Sequence, residues 1–135
     1  MKRVFVDTGA WYALVDAKDP DHAAVATCIS EYSGRLATSN FVFDETVTLL
    51  RYRLGHRPAR TFGDALQAGG LAAVLRLAPG DESAAWEIFT RYRDKSFSFT
   101  DCTSFSLMKR LGIASAIAID DDFKAYGIPC LPREN

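Results

Sequence analysis

The sequence predicts an α/β fold, a three-layer α/β/α sandwich around a mainly parallel central sheet. Strand-like and helix-like segments alternate along the whole chain. The strand candidates are apolar on consecutive residues, as strands covered on both faces are, and the helical segments carry apolar stripes suited to covering a sheet.

Val4, Phe5 and Val6 form a short strand that ends at the polar turn Asp7, Thr8, Gly9. Helices are expected over residues 10–16 and 21–33, the second opened by Asp19, Pro20 and Asp21 and closed by Gly34. A second strand covers 35–38. Ser39 or Asn40 caps a third helix that runs to Leu54 and is stopped by Gly55, and a fourth covers 58–67 before Gly69 and Gly70. Residues 72–77 make the third strand. An amphipathic helix over 81–93 places Ala84, Ala85, Ile88, Phe89 and Tyr92 on one stripe, expected to face the sheet. Thr100 caps a helix over 101–111 that Gly112 closes, and a strand over 113–119 ends at Asp120. A brief helix over 122–126 and a strand over 128–131 complete the chain.

At 135 residues this is the length of one compact domain, and 48% apolar with 24% charged residues is globular composition. A net charge of -1 argues neither for nor against a nucleic-acid partner, so the distribution of charge must decide. Three cysteines (Cys28, Cys102, Cys130) without CxxC spacing and two histidines (His22, His56) argue against a disulfide framework or a zinc site. The basic start Met1, Lys2, Arg3 is followed by an apolar run broken at Asp7 and again at Asp16, so no signal-peptide core forms. No apolar stretch approaches the roughly 20 residues needed to span a bilayer. The expectation is a soluble, cytoplasmic protein with no membrane partner.

In open α/β sheets ligands bind beyond the carboxyl ends of the strands, where this reading places Asp7 and Asp120. Two further acids follow from helix geometry. Glu45 shares a helix face with Phe41, Val42, Leu49 and Tyr52, and Asp101 begins the stripe Asp101, Phe105, Met108, Leu111. A carboxylate in an apolar stripe costs several kcal/mol unless a cation or hydrogen bonds compensate. Like charges brought together call for a divalent ion, and oxygen-only ligation selects hard cations such as Mg²⁺ or Mn²⁺. Such an ion lowers the pKa of bound water and polarises a phosphate, so phosphodiester hydrolysis is the expected reaction.

Four blocks then carry a resemblance over almost the whole length: Val6-Asp7-Thr8-Gly9-Ala10-Trp11 with Asp19-Pro20-Asp21-His22, Phe43-Asp44-Glu45-Thr46, Ser98-Phe99-Thr100-Asp101-Cys102, and Ala118-Ile119-Asp120-Asp121-Asp122-Phe123. In this order they resemble the PIN-domain toxins of the VapC type. The resemblance implies that residues 1–135 form a single PIN-like nuclease domain, a Mg²⁺-dependent endoribonuclease with Mn²⁺ as a possible substitute. It implies Asp7, Glu45, Asp101 and Asp120 as the metal-binding catalytic acids. It also implies RNA as substrate, a cognate antitoxin that masks the site, and a homodimer.

Thr8 and Thr100 are candidate donors orienting the carboxylates, and Asp122 competes with Asp120 for the fourth ligand position, caps the short helix, or acts as an outer ligand. Where the family often has Thr or Ser two residues before the last acid, this chain has Ala118. Plainer readings exist: Asp7 as a helix cap, Asp101 as a dipole partner, Asp121 as a turn residue, Cys102 as a small packed residue. The cations Arg51, Arg53, Arg57 and Arg60, and Arg91, Arg93 and Lys95, suit either phosphates or helix C-terminal dipoles. Trp11 and Tyr12 suit core or interface better than RNA stacking. A receiver-like Mg²⁺ signalling module and a catalytically silent RNA- or protein-binding module are the rival readings.

Overall fold

The computed structural model describes residues 2–133, and its sheet order explains where a site can form. Five parallel strands run β3-β2-β1-β4-β5: β1 (Arg3–Val6), β2 (Arg35–Ser39), β3 (Ala73–Leu75), β4 (Ala116–Ile117) and β5 (Cys130–Leu131). The chain builds outward from β1 to β3, then returns to the other side of β1 for β4. That reversal is the topological switch point, and the crevice it opens lies beyond the carboxyl ends of β1 and β4. The register is direct, with Val6 opposite Ile117 and the Asp7 amide donating to the Ile117 carbonyl at 3.1 Å.

Among the described residues seven helices flank the sheet: α1 (Thr8–Val15), α2 (His22–Glu31), α3 (Asn40–Leu54), α4 (His56–Gln67), α5 (Pro79–Arg91), α6 (Phe99–Leu111) and α7 (Asp122–Tyr126). Strands β1 and β4 are buried throughout Val4, Phe5, Val6, Ala116 and Ile117. Trp11 is buried against Phe62, and its indole N–H donates to Thr38 Oγ1 at 3.2 Å. Thr38 in turn donates to the Val6 carbonyl at 2.9 Å, so α1, β2 and the end of β1 are tied together just before Asp7. On the other side Phe105 stacks on Tyr126 at 4.2 Å and meets Phe123 edge-on at 4.9 Å, fixing α7 to α6.

Several expected boundaries move, each for a visible reason. The strand over 113–119 is found only over Ala116–Ile117; at its start Ile113 instead donates to the Met108 carbonyl in the cap that left-handed Gly112 completes. The strand over 128–131 loses Ile128 in the same way, to the Phe123 carbonyl beside left-handed Gly127. The strand over 72–77 stops at Leu75, and the Leu77 amide is instead taken by Asn40 Oδ1 at 2.9 Å. The fourth helix starts at His56 and not at residue 58, with Pro58 in its first turn, where no amide is needed. Asp19, Pro20 and Asp21 form a turn ahead of α2, with Asp19 Oδ1 accepting the Asp21 amide at 2.8 Å. Gly34 is not a helix stop: a Cβ there would lie 2.2 Å from the Lys2 carbonyl oxygen, so the glycine permits the close approach of the chain to β1.

Two stripes are also rephased. Helix α5 packs chiefly on α6 and not on the sheet, leaving Trp86 58% and Phe89 40% exposed. In α3 the buried residues are Val42, Thr46 and Leu50, so Glu45 stands at the margin of the buried stripe, and Tyr52 on its own face is 84% exposed.

Candidate active site

Asp7 follows β1 into the crevice and is 2% exposed. It occupies the position before α1 yet makes no side-chain capping bond, and its Oδ1 has no hydrogen-bond partner. A buried carboxylate oxygen without a partner is expensive, and helix capping does not account for it here. Burial pushes the Asp7 carboxyl well above its usual range, reinforced by the charges of Asp101, Asp120 and Glu45 and only partly offset by the Thr8 amide.

Glu45 reaches the same neighbourhood from α3, because Ser39 ends β2 as the helix cap and accepts the Val42 amide at 3.0 Å. Its Oε1 accepts a 2.6 Å hydrogen bond from Thr8 Oγ1, which joins the first turn of α1 to the middle of α3. Thr8, Asp44, Glu45, Thr48, Tyr52 and Thr100 line a cavity of about 490 Å³ beside the acids.

Asp101 is set by a reciprocal cap, the Asp101 amide donating to Ser98 Oγ and the Ser98 amide to Asp101 Oδ2, both at 3.0 Å. The cap is thus Ser98 and not Thr100, and the Ser-x-x-Asp spacing is a signal the sequence carried. Asp101 is buried; desolvation raises its carboxyl to about 7 against the pull of the Ser98 amide, with Asp120 and Asp122 adding to the rise. Asp120 is more open, and its Oδ1 accepts the Asp122 amide at 3.0 Å. Desolvation leads the rise of Asp120 too, with the charges of Asp122, Asp121 and Glu45 behind it. Asp122 opens α7, and its Oδ1 accepts a hydrogen bond from Ser96 Oγ at 3.0 Å.

Asp7, Glu45, Asp101 and Asp120 are therefore electrostatic neighbours, and Asp122 joins them through Asp101 and Asp120. Their donors are oxygens only, neighbouring carboxylates raise Asp7, Asp101 and Asp120, and one buried oxygen is unmatched. In donor chemistry and mutual repulsion they fit a hard divalent ion. Among the described residues no three His, Cys, Asp or Glu side chains form a ready-made cation cage, so the acids surround the crevice without closing into a preformed shell. Thr100 lines the cavity, and its carbonyl accepts from Thr103 Oγ1 and Ser104 Oγ.

The other singled-out residues divide plainly. Cys102 is buried, and burial raises its thiol to about 11, which makes it packing and not a nucleophile. Tyr12 donates to Asp16 Oδ2 at 2.8 Å beneath Arg53, whose guanidinium lies 5.2 Å from the ring centre. His22 donates from Nδ1 to the Ala13 carbonyl at 2.7 Å, since a carbonyl can only accept, and His56 is exposed at the start of α4. Arg60 pairs with Asp64 at 3.5 Å on the surface.

A parallel sheet with acids gathered at its switch point is the architecture of a PIN domain. The PIN domain family matches residues 4–129, and the chain belongs to that family. It is 38% identical over 124 residues to the 23S rRNA-specific endonuclease VapC20 of Mycobacterium tuberculosis, covering 92% of this chain and 94% of that protein. It is 30% identical over 134 residues to a VapC ribonuclease of Archaeoglobus fulgidus, covering 96% and 82%. The crystal structure of M. tuberculosis VapC20, a sarcin-ricin loop cleaving toxin, superposes with a TM-score of 0.88 over 93% of this chain and 95% of that one, at 37% identity. VapBC2 of Rickettsia felis, bound to a DNA fragment from its promoter, shares the fold at 10% identity with a TM-score of 0.70. A receiver-like module is thereby displaced by the PIN assignment.

Proposed function

We propose that this protein is an endoribonuclease, the toxin of a toxin-antitoxin pair, which hydrolyses RNA phosphodiester bonds with a divalent cation held by Asp7, Glu45, Asp101 and Asp120. The observation that carries the reading is the unpartnered, buried Asp7 Oδ1, set beside Asp101 and Asp120, whose ionisation the protein also opposes. The ribonuclease names of the full-length relatives support the reaction class.

Mg²⁺, or Mn²⁺ in its place, would supply Lewis acidity at the phosphate and a more acidic water. The chain's own residues do the positioning. Thr8 holds Glu45 through Oε1, and Ser98 holds Asp101 through Oδ2. The Asp122 amide holds Asp120. Three of the four acids are thus oriented by a partner from their own or a neighbouring element, an arrangement that fixes ligand direction before charge is neutralised, while Asp7 keeps an oxygen unpartnered. No histidine is needed as a base, and neither His22 nor His56 belongs to the acidic cluster. Asp122 serves as an outer acid anchored by Ser96, and Asp120, beyond β4, takes the fourth position.

The PIN resemblance supports a cognate antitoxin, a homodimer and cytoplasmic action of this single domain. No helix among the described residues is long and apolar enough to cross a membrane. The test is cleavage of a diverse RNA pool by wild type and Asp7→Asn in Mg²⁺, Mn²⁺ or EDTA. Cleavage should need the metal and fall at least about a hundredfold in the variant, the several kcal/mol of charge stabilisation a metal supplies. Cutting in EDTA, or a fully active variant, rejects the mechanism.

A further inference from the structure

Beside the acidic site runs a second cavity of about 470 Å³, between α3 and α4, lined by Phe43, Val47, Arg51, Tyr52, His56 and Arg60 among others. It is continuous with the cavity at Glu45, because Thr48 and Tyr52 line both. Gly63 keeps the two helices close, with Phe43 and Val47 within 3.8 Å of where its Cβ would stand. Along α3, Glu45, Thr48 and Tyr52 are spaced i, i+3, i+7 on one face, so Tyr52 sits about 10 Å along the axis from the acid. That is the reach of a nucleotide or two.

Charge changes sign along this path. Asp44 and Glu45 stand at one end, Arg51 and Arg53 at the other. Arg53 lies over Tyr12 and Arg60 pairs with Asp64, whereas Arg51 has no ion-pair partner among the described residues. Tyr52 is 84% exposed, an apolar ring left in water at the junction of the two cavities. An exposed ring beside an unpaired guanidinium is the combination that binds single-stranded nucleic acid, by base stacking and phosphate contact.

We propose that the α3–α4 trough is an RNA-binding subsite, in which a base next to the scissile phosphate stacks on Tyr52 while Arg51 takes a neighbouring phosphate. The inference rests on the ribonuclease reading for its substrate class. A stacking platform accepts any base, so it contributes grip on an unpaired strand without sequence choice. It favours RNA that is single-stranded or looped at the cut.

The test measures binding of a short fluorescein-labelled single-stranded RNA of random sequence by anisotropy, in Mg²⁺, on Asp7→Asn chains, with the RNA checked intact on a gel. Adding Tyr52→Ala should weaken binding about tenfold or more. Tyr52→Trp should bind as tightly as the parent, since the ring and not the hydroxyl does the work. Arg51→Ala should lower the slope of log affinity against log salt by about 0.7, one phosphate on a single strand. In the otherwise wild-type chain, Tyr52→Ala should raise KM and leave kcat nearly unchanged. Unchanged RNA affinity in both variants, as expected if the trough takes a protein segment instead, overturns the proposal; so does equal loss in Tyr52→Ala and Tyr52→Trp. RNA bound through Tyr52 but never cut by wild type would sink the nuclease reading alone. Normal cutting with unchanged binding would sink this inference alone.

Discussion

Thr8 Oγ1 donates a 2.6 Å hydrogen bond to Glu45 Oε1, linking the residue after one acid to another acid 37 positions away. A hydroxyl in this position fixes the direction of Glu45 while adding no charge. Thr8→Ala should lower cleavage about tenfold to a hundredfold and raise the metal concentration needed for half-maximal activity, as loss of a ligand's outer partner does. Thr8→Ser, which keeps the hydroxyl, should restore both. Equal activity in Thr8→Ala and wild type across a metal titration would remove any role for this contact.

Acid repulsion within the fold gives a stability profile of definite sign. Asp7, Asp101 and Asp120 all hold protons to higher pH in the folded chain than in the unfolded one. Between roughly pH 4, where a free aspartate ionises, and about 7, the position of Asp101, the folded state binds more protons. Stability therefore falls as pH rises through that window. Melting in EDTA should show Tm decreasing from pH 4 to pH 7, at about 2 to 5 °C for each kcal/mol lost. Below the window the sign reverses, because Asp81 is held under the usual range by Arg110 and its contribution is lost on protonation. A Tm that climbs steadily to neutrality contradicts this assignment.

Asp7→Asn should accordingly separate stability from activity. An amide cannot ionise, so the variant should melt above wild type at pH 7 in EDTA and show a flatter slope, even as it loses cleavage. Function and stability are often opposed in this way at a charged site. A variant that melts well below wild type would mean that Asp7 is needed for the fold.

Far from the acids, Arg110 grips Asp81 with Nε to Oδ1 at 2.6 Å and Nη2 to Oδ2 at 2.8 Å, and Asp81 Oδ2 also accepts the Ala78 amide at 2.8 Å. Asp81 is buried while Arg110 is about half exposed, so solvent screens part of the pair. Arg110→Ala should cost about 1 to 3 kcal/mol in urea unfolding by leaving a buried carboxylate without its guanidinium. RNA cleavage per folded molecule should be unchanged.

Much of this was legible in the residues. Consecutively apolar strands alternating with helices gave the parallel sheet, and acids after Val6 and Ile119 marked the crevice. The stripe that carries Glu45 is buried only in part: Val42 is fully buried, whereas Tyr52 on the same face is 84% exposed, and the buried line of α3 runs through Val42, Thr46 and Leu50. Periodicity finds the residues that share a face, but tertiary packing decides which face is inside. Strand ends were overextended at Ile113 and Ile128 because both have strand-like side chains while their amides close helix caps. Contacts such as Thr8 with Glu45, or Trp11 with Thr38, join distant segments and leave no local pattern to read.

Cation binding by the acids is the claim to measure. Mn²⁺ titration followed by electron paramagnetic resonance, on wild type, Asp7→Asn and Asp101→Asn, reads the bound ion without reference to cleavage. Wild type should bind Mn²⁺ saturably at neutral pH, and each variant should lose at least about tenfold in affinity. Equal Mn²⁺ affinity in all three chains would contradict it.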